Sequence, residues 1–263
     1  MTDWPGRNLA FAALLFPLAW LLGGIAWYAL RLHVLGNAPV DQELAKRGTS
    51  ALLGHTLRQG FAWCAGPLER ALLRGGASPD ALTLAGCAAC AAGSLLVAIG
   101  DLTVGGLTVL GSAGFDFLDG RIARRRGIVS PAGEFLDSTL DRWSDAFCCA
   151  GAAFLFRDSP WNLAAALVAF GASGVVPYAR AKAEALGQDL RSGLMQRPER
   201  VVLYSAAAIF SAPLDWLWPV SFEAGHPTFA AMTWFLALAT AWTAFDRTRE
   251  GRRRLLARGR ATS

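Results

Sequence analysis

The sequence predicts an all-α integral membrane protein, and three observations carry that prediction. Of 263 residues, 54% are hydrophobic and only 17% charged, a balance foreign to ordinary soluble domains. The charges are also segregated: Asn8–Leu30, Ala81–Gly100, Ser159–Ala179, Val201–Leu214 and Pro227–Phe245 contain no Asp, Glu, Lys or Arg. Finally, the basic residues fall in alternate connections. Arg31–Arg74, Arg121–Arg126, Arg180–Arg200 and Arg247–Arg260 are Arg-rich, while the connections near Asp101, Arg157 and Glu223 hold one Lys or Arg between them. Such alternation marks the Arg-rich set as cytoplasmic. The net charge of +5 therefore reflects membrane orientation, and no nucleic-acid partner is expected.

Taken in order, residues 1–36 form an amino-terminal transmembrane anchor. Its apolar run follows a single Arg7, precedes Arg31 and lacks a small-residue cleavage pattern, so it reads as retained, with the amino terminus outside. Residues 37–78 form a cytoplasmic linker and a surface helix. In that helix Leu53, Leu57, Phe61, Cys64, Leu68 and Leu72 recur at helical spacing, with Arg58, Glu69, Arg70 and Arg74 off the stripe, the pattern of an amphipathic helix lying on the membrane.

Residues 79–250 form a six-helix transmembrane core. Ser78-Pro79 opens the first span, through Gly100. Gly105–Phe117 begins the second, Glu134–Phe156 is the third after Pro131 and Gly133, and Trp161–Ala185 is the fourth. The fifth, Arg200 to about Trp218, reaches the roughly 20 residues a span needs once Asp215 lies at the interface. Pro227–Phe245 is the sixth, and residues 251–263 are a basic cytoplasmic tail. The five cysteines read as small packing residues, because Cys87, Cys90, Cys148 and Cys149 fall within apolar helices.

Acidic residues in membrane helices are costly and call for compensation, yet two adjacent helices carry four. Asp116 and Asp119 are three apart and Asp137 and Asp141 four apart, so each pair shares one helix face. Converging carboxylates repel and protonate unless cations join them. Their oxygens suit Mg²⁺ or Mn²⁺, with no His or Cys to favour zinc. The plainer alternative pairs them with Arg121, Arg124, Arg125, Arg126 and Arg142; it leaves the shared register and the neighbouring small residues unexplained.

The full string runs Asp116-x-x-Asp119-Gly120-x-x-Ala123-Arg124, eight residues, then Gly133-x-x-x-Asp137-x-x-x-Asp141. It resembles the CDP-alcohol phosphatidyltransferase signature at every specified position, and the likeness extends over about residues 53–250, leaving the first span outside it. The resemblance implies an enzyme that moves a phosphatidyl group from CDP-diacylglycerol to an alcohol hydroxyl and releases CMP. It also implies a homodimer in the cytoplasmic membrane with a cytoplasm-facing site. Asp116, Asp119 and Asp137 are then the principal metal ligands. Asp141 is a further ligand or the general base; which Asp does which task stays open. Two Mg²⁺ ions, or Mn²⁺, would neutralise the pyrophosphate. Gly120, Ala123 and Gly133 would leave room for the nucleotide beside Asp116, and Arg124 would fork onto its phosphate.

For the acceptor, Tyr178-Ala-Arg180-Ala-Lys182-Ala-Glu184, Gly193 and Arg197-Pro-Glu-Arg200 place four cations at the cytoplasmic ends of consecutive helices. Such a cluster suits a phosphorylated alcohol. The stretch resembles the phosphatidylinositol phosphate synthase branch of the family. That implies inositol 1-phosphate, held by Arg180 and Arg200, with Lys182, Arg197 and Arg247 as further candidates. Glycerol 3-phosphate is the alternative acceptor. An ion-coupled transporter is the alternative class, but it predicts acids spread through the membrane depth, whereas these gather near one face.

Overall fold

The computed structural model describes residues 19, 22–41, 54–190, 195–217 and 225–261, and every regular element among them is an α-helix. Helix α1 is described over residues 22–33. It is followed by α2 (His55–Arg74), α3 (Pro79–Ala98), α4 (Leu102–Arg126), α5 (Pro131–Leu155), α6 (Pro160–Ala185), α7 (Arg197–Leu217) and α8 (Pro227–Ala261). Proline opens α3, α5, α6 and α8, where its missing N–H costs no helical hydrogen bond.

Among the described residues, three helices are long and apolar enough to cross a membrane: α3, α6 and the Pro227–Arg258 part of α8. Helices α4, α5 and α7 have 25, 25 and 21 residues, enough length for a span. Their acidic and basic residues keep composition from marking them. Most of the expected anchor Asn8–Leu30, together with Leu53, Gly193 and Trp218, lies outside the described residues.

The chain divides into two compact units, Met1–Gly86 with Gly111–Ser138, and Cys87–Leu110 with Thr139–Ser263. In the first, Leu82, Leu118 and Ile122 form a buried core against which Ala65, Leu72, Leu73, Phe115 and Phe117 pack. Phe61 meets Phe117 edge to face at 4.9 Å. Arg126 donates to the carbonyls of Leu73, in the last turn of α2, and Ala77, just beyond it, at 3.2 and 2.8 Å, tying the end of α4 to the end of α2. Gly86 allows close approach of α4, since a Cβ there would lie 3.0 Å from both Asp116 Oδ1 and Phe115 Cβ.

Helix α2 departs from the expected stripe. Leu57 and Leu68 are exposed, available to lipid, whereas Ala62, Cys64, Gln59 and Glu69 are buried. Glu69, expected on the solvated face, is buried because Arg121 and Arg125 neutralise it.

In the second unit small residues let helices touch, a device suited to membranes, where apolar burial alone gives little helix association. A Cβ at Gly93 would fall 2.8 Å from the Gly105 carbonyl oxygen, and one at Gly106 2.9 Å from that of Ser205. Helix α8 packs along α6 and α7. Trp234 Nε1 donates to Asn162 at 3.1 Å, and Tyr204 meets Phe229 edge to face at 5.2 Å. Asp215 accepts from the Thr228 N–H at 2.9 Å, satisfying a donor in the first turn of α8.

The residues expected to form the basic tail continue the last helix. Helix α8 runs past Phe245 to Ala261, because its Arg, Leu and Ala residues are good helix formers. Leu190 packs on Gly251, and Arg254 donates to the Asp189 carbonyl at 2.8 Å. None of the five cysteines forms a disulfide. Cys90 fills a helix contact, with its thiol 3.5 Å from the Ser144 carbonyl.

Candidate active site

The first unit holds three of the four predicted carboxylates. Asp116 and Asp119 stand near the end of α4 and Asp137 in the second turn of α5. Asp119 is only 5% exposed. Thr83, one turn into α3, donates its hydroxyl to Asp119 Oδ2 at 2.6 Å, and the Gly120 N–H donates to Asp119 Oδ1. The charges of Asp137 and Asp116 both act on Asp119. Thr83 was not among the expected site residues; its only sequence signal is its place one turn into the helix opened by Pro79.

This all-oxygen donor set fits hard divalent cations. Among the described residues no three His, Cys, Asp or Glu side chains are arranged to hold a metal ion as they stand. Of the five arginines that the plainer alternative pairs with these carboxylates, three are engaged elsewhere: Arg121 and Arg125 with Glu69, and Arg126 with backbone carbonyls; Arg142 does approach Asp141.

The small residues of the motif sit in different surroundings. A Cβ at Gly120 would fall 3.0 Å from Arg124 Nη1, so the guanidinium lies directly over the glycine. Arg124 is exposed and Ala123 half-buried. Ser130 caps α5, its Oγ accepting from the Gly133 N–H at 3.1 Å. A Cβ at Gly133 would touch only Ser130 and Asp80.

The second unit holds Asp141, one turn beyond Asp137 on the same helix, together with the cations. Arg197 Nη1 lies 2.8 Å from Asp141 Oδ1, and Arg142 Nη1 3.7 Å from Asp141 Oδ2. Arg197, expected to face a phosphate, thus pairs with the candidate base. Arg200 bonds Asp145 at 2.5 Å and the Met195 carbonyl at 3.0 Å. Asp145 had not been singled out, although it continues the four-residue spacing of Asp137 and Asp141.

Arg247 is 5% exposed, donates to the Val176 carbonyl at 3.0 Å, and feels the positive charges of Arg180 and Arg200. Arg180 and Arg200 thus lie within electrostatic reach of the buried Arg247, each also paired with a carboxylate. Arg180 is also held by Glu184, at 2.8 Å, while Lys182 is exposed on α6.

A helical membrane chain with this carboxylate motif is an enzyme of a defined class. The CDP-alcohol phosphatidyltransferase family model matches residues 77–245, and the chain belongs to that family. It is 39% identical over 195 residues to the phosphatidylinositol phosphate synthase of Mycobacteroides abscessus, covering 72% of this chain and 84% of that protein. It is also similar in structure to the phosphatidylinositol phosphate synthase of Mycobacterium tuberculosis solved with CDP-DAG bound. There the TM-score is 0.63 and the identity 33%, with 70% of this chain and 92% of that one covered. The same mycobacterial enzyme has been solved with manganese and citrate, matching with TM-score 0.63 and 33% identity over 70% of this chain and 87% of that one. The family is one of divalent-metal-dependent enzymes.

Proposed function

We infer that this chain transfers the phosphatidyl group of CDP-diacylglycerol to the hydroxyl of inositol 1-phosphate, giving phosphatidylinositol phosphate and CMP. The observation that carries the reading is the buried Arg247 within electrostatic reach of Arg180 and Arg200, in a chain whose α4 and α5 hold the complete aspartate motif. Arginine's planar fork suits the phosphate of such an acceptor.

In this reading Asp116, Asp119, Asp137 and Asp141 hold two Mg²⁺ ions, with Mn²⁺ able to replace them. Such ions supply charge neutralisation at the pyrophosphate and at the departing CMP. Gly120, Ala123 and Gly133 admit the nucleotide and Arg124 orients its phosphate. Arg180, Arg200 and Arg247, with Lys182 at the rim, bind the acceptor phosphate. Asp141 accepts the proton of the attacking hydroxyl, the role of a carboxylate within hydrogen-bond reach of the nucleophile; Arg197, at 2.8 Å, orients it.

The same reading takes residues 1–36 as an anchor, 37–78 as linker and surface helix, 79–250 as a six-span catalytic domain and 251–263 as a basic tail. It puts the chain in the inner membrane as a homodimer, with the site facing the cytoplasm. The Arg-rich connections support that orientation.

Purified chain given CDP-diacylglycerol, Mg²⁺ and one acceptor at a time is expected to release CMP with inositol 1-phosphate. Release with glycerol 3-phosphate and none with inositol 1-phosphate would overturn the acceptor.

A further inference from the structure

Ahead of the family match, the linker after α1 is tied down at several points. Tyr28, wholly buried, donates its hydroxyl to the Pro39 carbonyl at 2.9 Å. The Gln59 side chain accepts from the Asp41 N–H at 2.8 Å and donates to the Asp41 carbonyl at 2.9 Å. This reciprocal pair fixes where the Asp41 carboxylate is presented. That carboxylate lies 2.7 Å from Arg121 Nη1, and Arg121 Nε lies 2.9 Å from Glu69. Glu69 in turn binds Arg125 at 2.5 Å. Arg121 is 5% exposed, and its guanidinium sits 5.2 Å from the centre of the Phe117 ring.

Arg121 follows Asp119 by two residues and Gly120 by one. One face of the α4 turn that carries the motif is thus pinned by Phe117, in contact with Phe61, and by Arg121, stacked near that ring and held by two carboxylates. Buried guanidinium groups need such partners, since an uncompensated buried charge is strongly unfavourable. Without Asp41, Arg121 shares Glu69 with Arg125, and net positive charge appears within one helical turn of Asp119. That charge opposes cation binding there.

We propose that Asp41 is a positioning residue of the transferase site: through Arg121 it holds the turn of α4 bearing Asp119 and Gly120, and it screens that turn from the Arg121 charge. The segment ahead of the family match is then part of the catalytic apparatus and not only an anchor. This rests on the reading of Asp119 as a metal ligand.

The test uses the full chain in lipid nanodiscs. Mn²⁺ binding is read from the electron paramagnetic resonance of free Mn²⁺, beside steady-state kinetics. Asp41→Ala and the isosteric Asp41→Asn are each expected to weaken Mn²⁺ binding and lower kcat by about tenfold, the range for residues that orient metal ligands. The KM for inositol 1-phosphate is expected to stay unchanged, and Asp41→Glu to recover most of the loss. Parental Mn²⁺ affinity and kcat in Asp41→Asn would overturn the proposal, and so would a loss that Asp41→Glu leaves uncorrected. Asp119→Asn serves as the control: parental Mn²⁺ affinity in that variant refutes the metal-ligand reading itself, whatever Asp41 does.

Discussion

Asp119→Asn is expected to lower CMP release by about three orders of magnitude, roughly 4 kcal/mol in the barrier, the scale of support a catalytic metal site supplies. Asparagine keeps the shape of the side chain and can still accept the Thr83 hydroxyl, which lies at 2.6 Å. What it removes is the charge. The position is 5% exposed, and the charges of Asp116 and Asp137 act on it. Losing one anion from such a group relieves repulsion, so helical content by circular dichroism is expected to hold while activity falls. Asp137→Asn should fall in the same direction. The double variant should lose little more than either single one, because residues acting on one site are not additive.

Arg247→Ala is expected to raise the KM for inositol 1-phosphate by about 30-fold, roughly 2 kcal/mol, the usual contribution of a charge-assisted hydrogen bond. The KM for CDP-diacylglycerol should not change, which separates acceptor binding from general damage. Arg247 also donates to the Val176 carbonyl at 3.0 Å, so truncation alone confounds packing with recognition. Arg247→Lys resolves this: it keeps the charge but loses the fork, and an intermediate KM is expected. Steady-state kinetics with each substrate varied in turn measures both. An unchanged acceptor KM in both variants would remove Arg247 from the acceptor pocket.

Much of the helical plan was legible because its signals are local. Proline opens α3, α5, α6 and α8 where sequence reading expects helix starts or their close neighbours, and the aspartate spacing places each pair on one helix face. What escaped depends on partners distant in sequence. Glu69 looks like a solvated residue beside Arg70, and only Arg121, 52 positions away, makes its burial tolerable. Thr83 meets Asp119 across 36 positions, and no local pattern marks that contact. The end of α8 was missed for a different reason: the change from apolar to basic residues after Phe245 marks a membrane boundary, whereas the backbone continues as helix to Ala261.

Read from the sequence, Arg180 and Arg200 stand ahead of Lys182, Arg197 and Arg247 as acceptor cations, but the sequence does not show what each of them meets. Arg197 and Arg200 both lie at the start of α7, yet one pairs with Asp141 and the other with Asp145. Arg247, from α8, is buried in the field of Arg180 and Arg200. Which arginine faces which carboxylate follows from helix packing, and charge spacing along the chain does not encode it.

Metal dependence of phosphatidyl transfer tests the aspartate site most directly. Purified chain stripped with EDTA and given CDP-diacylglycerol and inositol 1-phosphate is expected to release no CMP, and to recover full turnover when Mg²⁺ or Mn²⁺ is added in excess of the chelator. Undiminished CMP release in excess EDTA would contradict the assignment of Asp116, Asp119, Asp137 and Asp141.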